Sequence, residues 1–244
     1  MGGNCDQFII AKWETKRLME IRKCLFYLFL LLLSKSGYAQ VEQIDSTQLE
    51  RERIRWNRSL TKDTAYKFNK NPNQLLVESI KGKRPGKALD LGMGQGRNTI
   101  YLAKVGWDVT GIDIANEAVD FANARAKKEK INITTELIPI EQFQFGVNKW
   151  DLIVHVYEGC LDDEKRIQKI IMSLKPRGIF VFEFFHREAG LQINRPDFGC
   201  ISNSVKEIIL KAGGLSIVRY SEEIGIADYG LKQNRLVKLV GVKK

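Results

Sequence analysis

Asp90 stands two residues before the first glycine of Gly92-Met93-Gly94-Gln95-Gly96, and a second acid, Asp113, closes the next apolar stretch. Glycines at this spacing let a strand turn sharply into a helix and let a ligand approach bare backbone, while the helix that follows offers unpaired N–H groups. An acid at the end of the second strand can accept both hydroxyls of an adenosine ribose, because neighbouring strands open on the same crevice. A glycine pattern alone is weak. The acid before GxGxG and the acid after the second strand together are more specific than a tight strand-to-helix turn with two surface acids. Asp113 would equally suit the ribose of NAD, but Asp90 would then face a pyrophosphate and repel it.

Such residues need a parallel sheet to hold them. From Lys87 onward short apolar runs alternate with amphipathic ones, the pattern of parallel strands covered by helices on both faces. The predicted strands are 88–91, 107–112, 134–138, 151–156, 179–184, 215–220 and 236–242, and the predicted helices are 97–104, 116–130, 163–174 and 203–211. Helices are expected to end at Gly106, Gly178 and Gly213-Gly214. The fold class is α/β, doubly wound and Rossmann-like. Residues 87–244 form the domain and 40–86 an N-terminal helical extension. Within that extension 41–60 reads as an exposed helix, and Asn71-Pro72 as the cap and first-turn proline of a helix that Gly82 and Pro85-Gly86 terminate.

From about Asn69 to the C-terminus the chain resembles the class I S-adenosylmethionine (SAM)-dependent methyltransferases. Asp90 to Gly96 looks like the first motif of that family and Gly111-Ile112-Asp113 like its second. Within the family, the run Gly94 to Ala103 is similar to the branch of tellurite-resistance-type and other small-molecule methyltransferases. The resemblance implies a seven-stranded, mostly parallel sheet whose last strand is antiparallel, with SAM as cofactor. It implies that Asp90 holds the methionine amino end, that Gly92, Gly94 and Gly96 pass beneath the methionine and ribose, and that Asp113 takes the ribose hydroxyls. Arg97, Asn98 and Ile114 join the cofactor-binding set, and Glu141 and Gln142 border the adenine, where the family prefers an Asp and this chain has Ile140 beside them.

The methyl acceptor is expected beyond the fourth and fifth strands, where His155, Tyr157, Glu158 and His186 stand. Transfer is an in-line displacement that positioning can accelerate, and a base is needed only if the acceptor must lose a proton. His155, Glu158 or His186 could be that base, and Tyr157 could stack on the acceptor. For His155 the alternative is a hydrogen-bonded core histidine, and for His186 a solvated loop residue. No Asn-Pro-Pro-Tyr, Asp-Pro-Pro-Tyr or Pro-Cys motif of nucleic-acid methylation occurs, and aromatics do not interleave with a basic stripe, so a small molecule is expected and nucleic acid is not. A SAM- or SAH-binding module without turnover is the alternative from another class.

The formal net charge of +10 divides as +3, +4 and +3 over 1–39, 40–86 and 87–244, so the long domain is nearly balanced. Residues 24–33 are apolar, too short a run to span a bilayer. Read from Met19, a basic stretch, this run and Gly37-Tyr38-Ala39 match a secretory signal peptide, so 1–39 is a leader and signal and export is expected. Cys160 and Cys200 have neither a CxxC partner nor a histidine at ligand spacing; no metal is expected, and buried free thiols are expected over a disulfide.

Overall fold

In the computed structural model, which describes residues 46–62 and 67–244, the strands are β1 (Lys87–Leu91), β2 (Asp108–Asp113), β3 (Thr134–Leu137), β4 (Trp150–Val156), β5 (Leu174–Phe185), β6 (Leu215–Ile226) and β7 (Gln233–Lys243). They form one sheet in the order β3-β2-β1-β4-β5-β7-β6. Pairing is parallel from β3 through β5, and β7 runs antiparallel between β5 and β6. The expected doubly wound sheet with its antiparallel insertion is present. β1 and β4 are buried on both faces, as a parallel centre requires, and Leu89, Leu152 and Ile153 have no exposed surface.

The helices are α1 (Ser46–Asn57), which continues into a π-helical turn (Arg58–Lys62), α2 (Gln74–Ile80), α3 (Arg97–Lys104), α4 (Asn116–Glu129), α5 (Glu164–Ser173), α6 (Arg187–Gln192) and α7 (Ser204–Ala212). The bounds of α3 coincide with those predicted because left-handed Gly96 (φ 76°) and Gly106 (φ 93°) bracket it. Asp163 starts α5 by accepting from the N–H groups of Lys165 and Arg166.

Three local expectations are corrected. The cap of α2 is Asn73, not Asn71: its Oδ1 accepts from the Leu76 N–H at 3.1 Å, so Pro72 lies outside the helix. Gly178 ends no helix. It lies inside β5, where a Cβ would come within 2.8 Å of the Lys175 carbonyl and 3.0 Å of that of Trp150. Cys160 and Cys200 are joined in a disulfide, with Cα atoms 5.3 Å apart. The Cys200 N–H donates to the Phe185 carbonyl at 2.8 Å and its own carbonyl accepts from Arg187, so the backbone parks this residue beside the end of β5, where the loop after β4 also emerges.

Residues 1–45, including the leader, the signal and the 24–33 run, lie outside the described residues. Among those described, no helix is long and apolar enough to cross a membrane.

Candidate functional site

The chain leaves β1 toward β2 on one side and later returns to β4 on the other, so a crevice opens at the carboxyl ends of β1, β2 and β4. The turn at its floor has Gly92, Gly94 and Gly96 at φ 67°, 52° and 76°, a region that side chains disfavour. A Cβ on Gly96 would also stand 2.9 Å from that of Ala122, so this glycine lets α4 approach the start of α3.

Asp90 is buried beneath the turn and accepts from the Thr99 hydroxyl at 2.6 Å. Burial pushes its carboxyl up to about 6; the Thr99 bond and the Arg97 charge oppose this, and Asp113 adds to it. Asp113 is half-buried and accepts from the N–H groups of Gly94 and Ala115, both at 2.8 Å. Burial raises it as well, against those bonds and with the charge of Glu158. A carboxylate has about four lone-pair positions, so two bonds leave Asp113 capacity for a diol. Bare glycine backbone, a buried acid below it and a partly open acid beside it fit the nucleoside and amino-acid ends of SAM.

Arg97, which also lines the cleft at the glycine turn, and Asn98 are engaged by the segment before α2. Arg97 pairs with Asp228 at 2.7 Å and donates to the Asn71 carbonyl at 3.0 Å, while Asn98 Oδ1 accepts from the Asn73 N–H at 2.9 Å. Asn73 Nδ2 donates both to Asp228 (2.8 Å) and to Glu183 (2.9 Å), and Asn69 Nδ2 donates to Asp228 at 2.7 Å. Asp228 thus ties the β6–β7 connection to the segment before α2 and to the first residue of α3. Glu183 is held above the usual carboxylate range by burial and by the charge of Asp228.

At the end of β4, His155 is fully buried and its Nε2 lies 2.8 Å from Glu158 Oε2, an ion-pair contact not aligned as a hydrogen bond. Arg166 Nη1 lies 3.6 Å from the same oxygen, and Arg166 Nη2 is 2.7 Å from Glu141. Burial works against the ionised form of Glu158, yet His155 and Arg166 outweigh it and hold the carboxyl below its ordinary value. Tyr157, left-handed at φ 62°, is buried, with its ring stacked on Tyr229 at 5.0 Å. Its hydroxyl oxygen accepts from the Asp228 N–H at 3.1 Å, and burial raises its pKa.

His186 caps α6: Nδ1 accepts from the Glu188 N–H at 3.2 Å, and Nε2 lies 3.7 Å from Glu222. The Ile114 carbonyl accepts from Arg53 of α1 at 3.2 Å. Glu141 is engaged by Arg166, and Gln142 is exposed on the same loop beyond buried Ile140. Among the described residues no three His, Cys, Asp or Glu gather as a metal site. A cleft of about 710 Å³ opens against the glycine turn, and neither histidine is among its described lining residues. Its walls are Phe68 and Tyr229, Leu60 of the π-helical turn and Phe121 of α4, with Lys67 and Lys70 at its border. Asn73, Glu183, Asp228 and Tyr229 are the parts of this region that the motifs do not mark; only Glu183, at a strand end, carries a sequence signal.

Sheet order, crevice and acid pair are those of the class I SAM-dependent methyltransferase fold. Within that class the relationship is TehB-like: residues 62–180 match the family model described as Tellurite resistance protein TehB. The "Probable S-adenosyl-L-methionine-dependent methyltransferase TehB" of Haemophilus influenzae is 37% identical over 100 residues, covering 41% of this chain and 35% of that one. A "Ubiquinone biosynthesis O-methyltransferase" of Coxiella burnetii is 30% identical over 111 residues, 45% of this chain and 46% of the relative. The chain therefore spans between about a third and a half of the curated relatives it matches. The crystal structure of TehB from Haemophilus influenzae shares the fold, with a TM-score of 0.56 at 24% identity over 69% of this chain and 61% of that one.

Proposed function

We propose that this chain transfers a methyl group from SAM to a small-molecule acceptor. The observation that carries the reading is the placing of Asp90 and Asp113 on adjacent strand ends, with Gly92 to Gly96 between them at the switch point of the sheet. When bound there, SAM supplies a methyl carbon activated by positive sulfur. In this reading Asp113 receives the ribose diol, Asp90 faces the amino end from beneath the turn, and the bare glycines admit the ligand to backbone distance. Glu141, Gln142 and Ile114 flank the adenine. The cleft beside the turn is of a size that takes small ligands, about 300–1,000 Å³, and its aromatic and apolar walls suit an acceptor with an apolar body. His155 and Tyr157 act by shaping the end of β4, while His186 organises α6.

Calorimetric titration of SAM and SAH into the folded protein tests the cofactor claim; no heat at millimolar ligand refutes it. SAH release across thiol, selenium, tellurium, phenol and carboxylate acceptors tests turnover. Release by the parent that is lost in Asp113→Ala supports catalysis. Binding of SAM with no release on any acceptor supports a SAM-binding module instead.

We further propose that the chain is exported. The basic stretch, apolar run and small-residue site before Gln40 support this, as does the Cys160–Cys200 bridge, a linkage favoured by oxidising compartments. A mature N-terminus at Gln40 in mass spectrometry is the expected result, and one at Met1 or Met19 refutes cleavage.

A further inference from the structure

Glu158 lies over Gly92 of the glycine turn. A Cβ on Gly92 would come within 2.6 Å of Glu158 Cγ and 2.8 Å of its Cβ, so the side chain rests on the bare α-carbon. Any ligand that passes over Gly92 must share that space with a carboxylate. His155 Nε2 and Arg166 Nη1 converge on a single oxygen of Glu158, Oε2, which is buried and takes no hydrogen bond. Asp90 lies below the same turn and Asp113 beside it, and the charges reach one another: Glu158 bears on Asp113, and Asp113 on Asp90. Three carboxylates from β1, β2 and the end of β4 thus surround one short turn. A crevice built this way favours a cation through fixed charge in a partly dry site, where electrostatic interactions exceed those in bulk water.

We infer that Glu158 is a specificity residue that takes the positive charge of the cofactor, so that the site prefers SAM, with its sulfonium, over SAH, whose sulfur is neutral. The inference rests on the cofactor reading above and deepens it. Its chemical consequence is that the site's hold weakens once the methyl group has left, which favours exchange of product for fresh cofactor.

The test is calorimetric and needs no acceptor. SAM, SAH and sinefungin, which carries an ammonium group where SAM has its sulfonium, are titrated into the full chain and into Glu158→Gln. The parent is expected to bind both charged ligands more tightly than SAH, and Glu158→Gln to lower the SAM-to-SAH affinity ratio about tenfold with little change for SAH. Arg166→Gln, which removes a cation from beside Glu158, is expected to raise the ratio, and it carries the test if Glu158→Gln does not fold. SAH binding with a ratio unmoved in both folded variants, or moved equally for all three ligands, overturns the inference while leaving the cofactor reading intact. Failure of the folded parent to bind any of the three overturns the cofactor reading itself.

Discussion

Asp228→Ala should cost this fold much of its stability, because Asp228 is a carboxylate on which donors from two separate segments, the one before α2 and the start of α3, converge. Its two oxygens receive Arg97 at 2.7 Å, Asn73 at 2.8 Å and Asn69 at 2.7 Å, and the Arg97 and Asp228 side chains are only 14% and 10% exposed. At that burial the pair is little screened by solvent, and removal of one partner strands the other. Breaking a buried pair of this kind costs about 3–5 kcal/mol. With a urea dependence of about 2 kcal/mol per molar, the unfolding midpoint should fall by about 1.5–2.5 M. Urea titration followed by circular dichroism measures it. In the double variant Arg97→Met, Asp228→Ala no stranded guanidinium remains, so its cost should fall short of the sum of the single variants by more than 1 kcal/mol, a coupling within the usual range for contacting residues. Additivity within about 0.5 kcal/mol, or a midpoint shift for Asp228→Ala below about 0.5 M, would refute the reasoning.

Asp90→Asn bears on pH. The folded-state pKa of about 6 lies above the ordinary aspartate value of 3.8, so the native state holds its proton longer than the unfolded chain. Stability tied to this group is therefore greatest below the unfolded value and declines as pH rises through about 6, by up to about 3 kcal/mol. The variant should accordingly be more stable than the parent at pH 7, equal to it below pH 4, and poor at binding SAM, as paired melts and titrations would reveal; equal stability at both pH values contradicts the assignment. Reduction of the Cys160–Cys200 bridge, whose residues are 40 apart, should remove about 4 kcal/mol of chain-entropy stabilisation. Loss of the Cys160–Cys200 bridge in the mass of peptides spanning it is the expected sign of reduction, and an unchanged urea midpoint after reduction would contradict a structural role for the bridge.

The sheet was legible where burial and periodicity agree. β1, β4, α3 and α4 fall within a residue or two of their predicted bounds, because each is an apolar run or an amphipathic helix closed by glycine or by a change of composition. β6 and β7 outrun their predictions, since the ladder between them continues to Ile226 and Gln233 past the core, where Ile224 and Ile226 are exposed and the polar–apolar alternation fades, and β5 begins early because Leu174 already pairs with Trp150 of β4. The turn and its two acids were visible because they are local in sequence. The Asp228 hub was not, as its partners Asn69, Asn73 and Tyr157 lie 159, 155 and 71 residues away and only the fold assembles them. The same holds for the disulfide, which no spacing announces.

The acids of the crevice also explain one another. Asp90 is driven toward its neutral form by burial, Asp113 is raised by burial and by Glu158, and Glu158 is held low against its own burial by His155 and Arg166. A site that gathers carboxylates at the cost of their own ionisation is less stable than one with apolar or amide side chains in the same places, a pattern common where binding and stability conflict. A cation placed among them reverses the balance, since it favours the charged form of all three. The folded state should therefore gain more from SAM than from SAH, and gain it most above pH 6, where Asp90 no longer holds its proton.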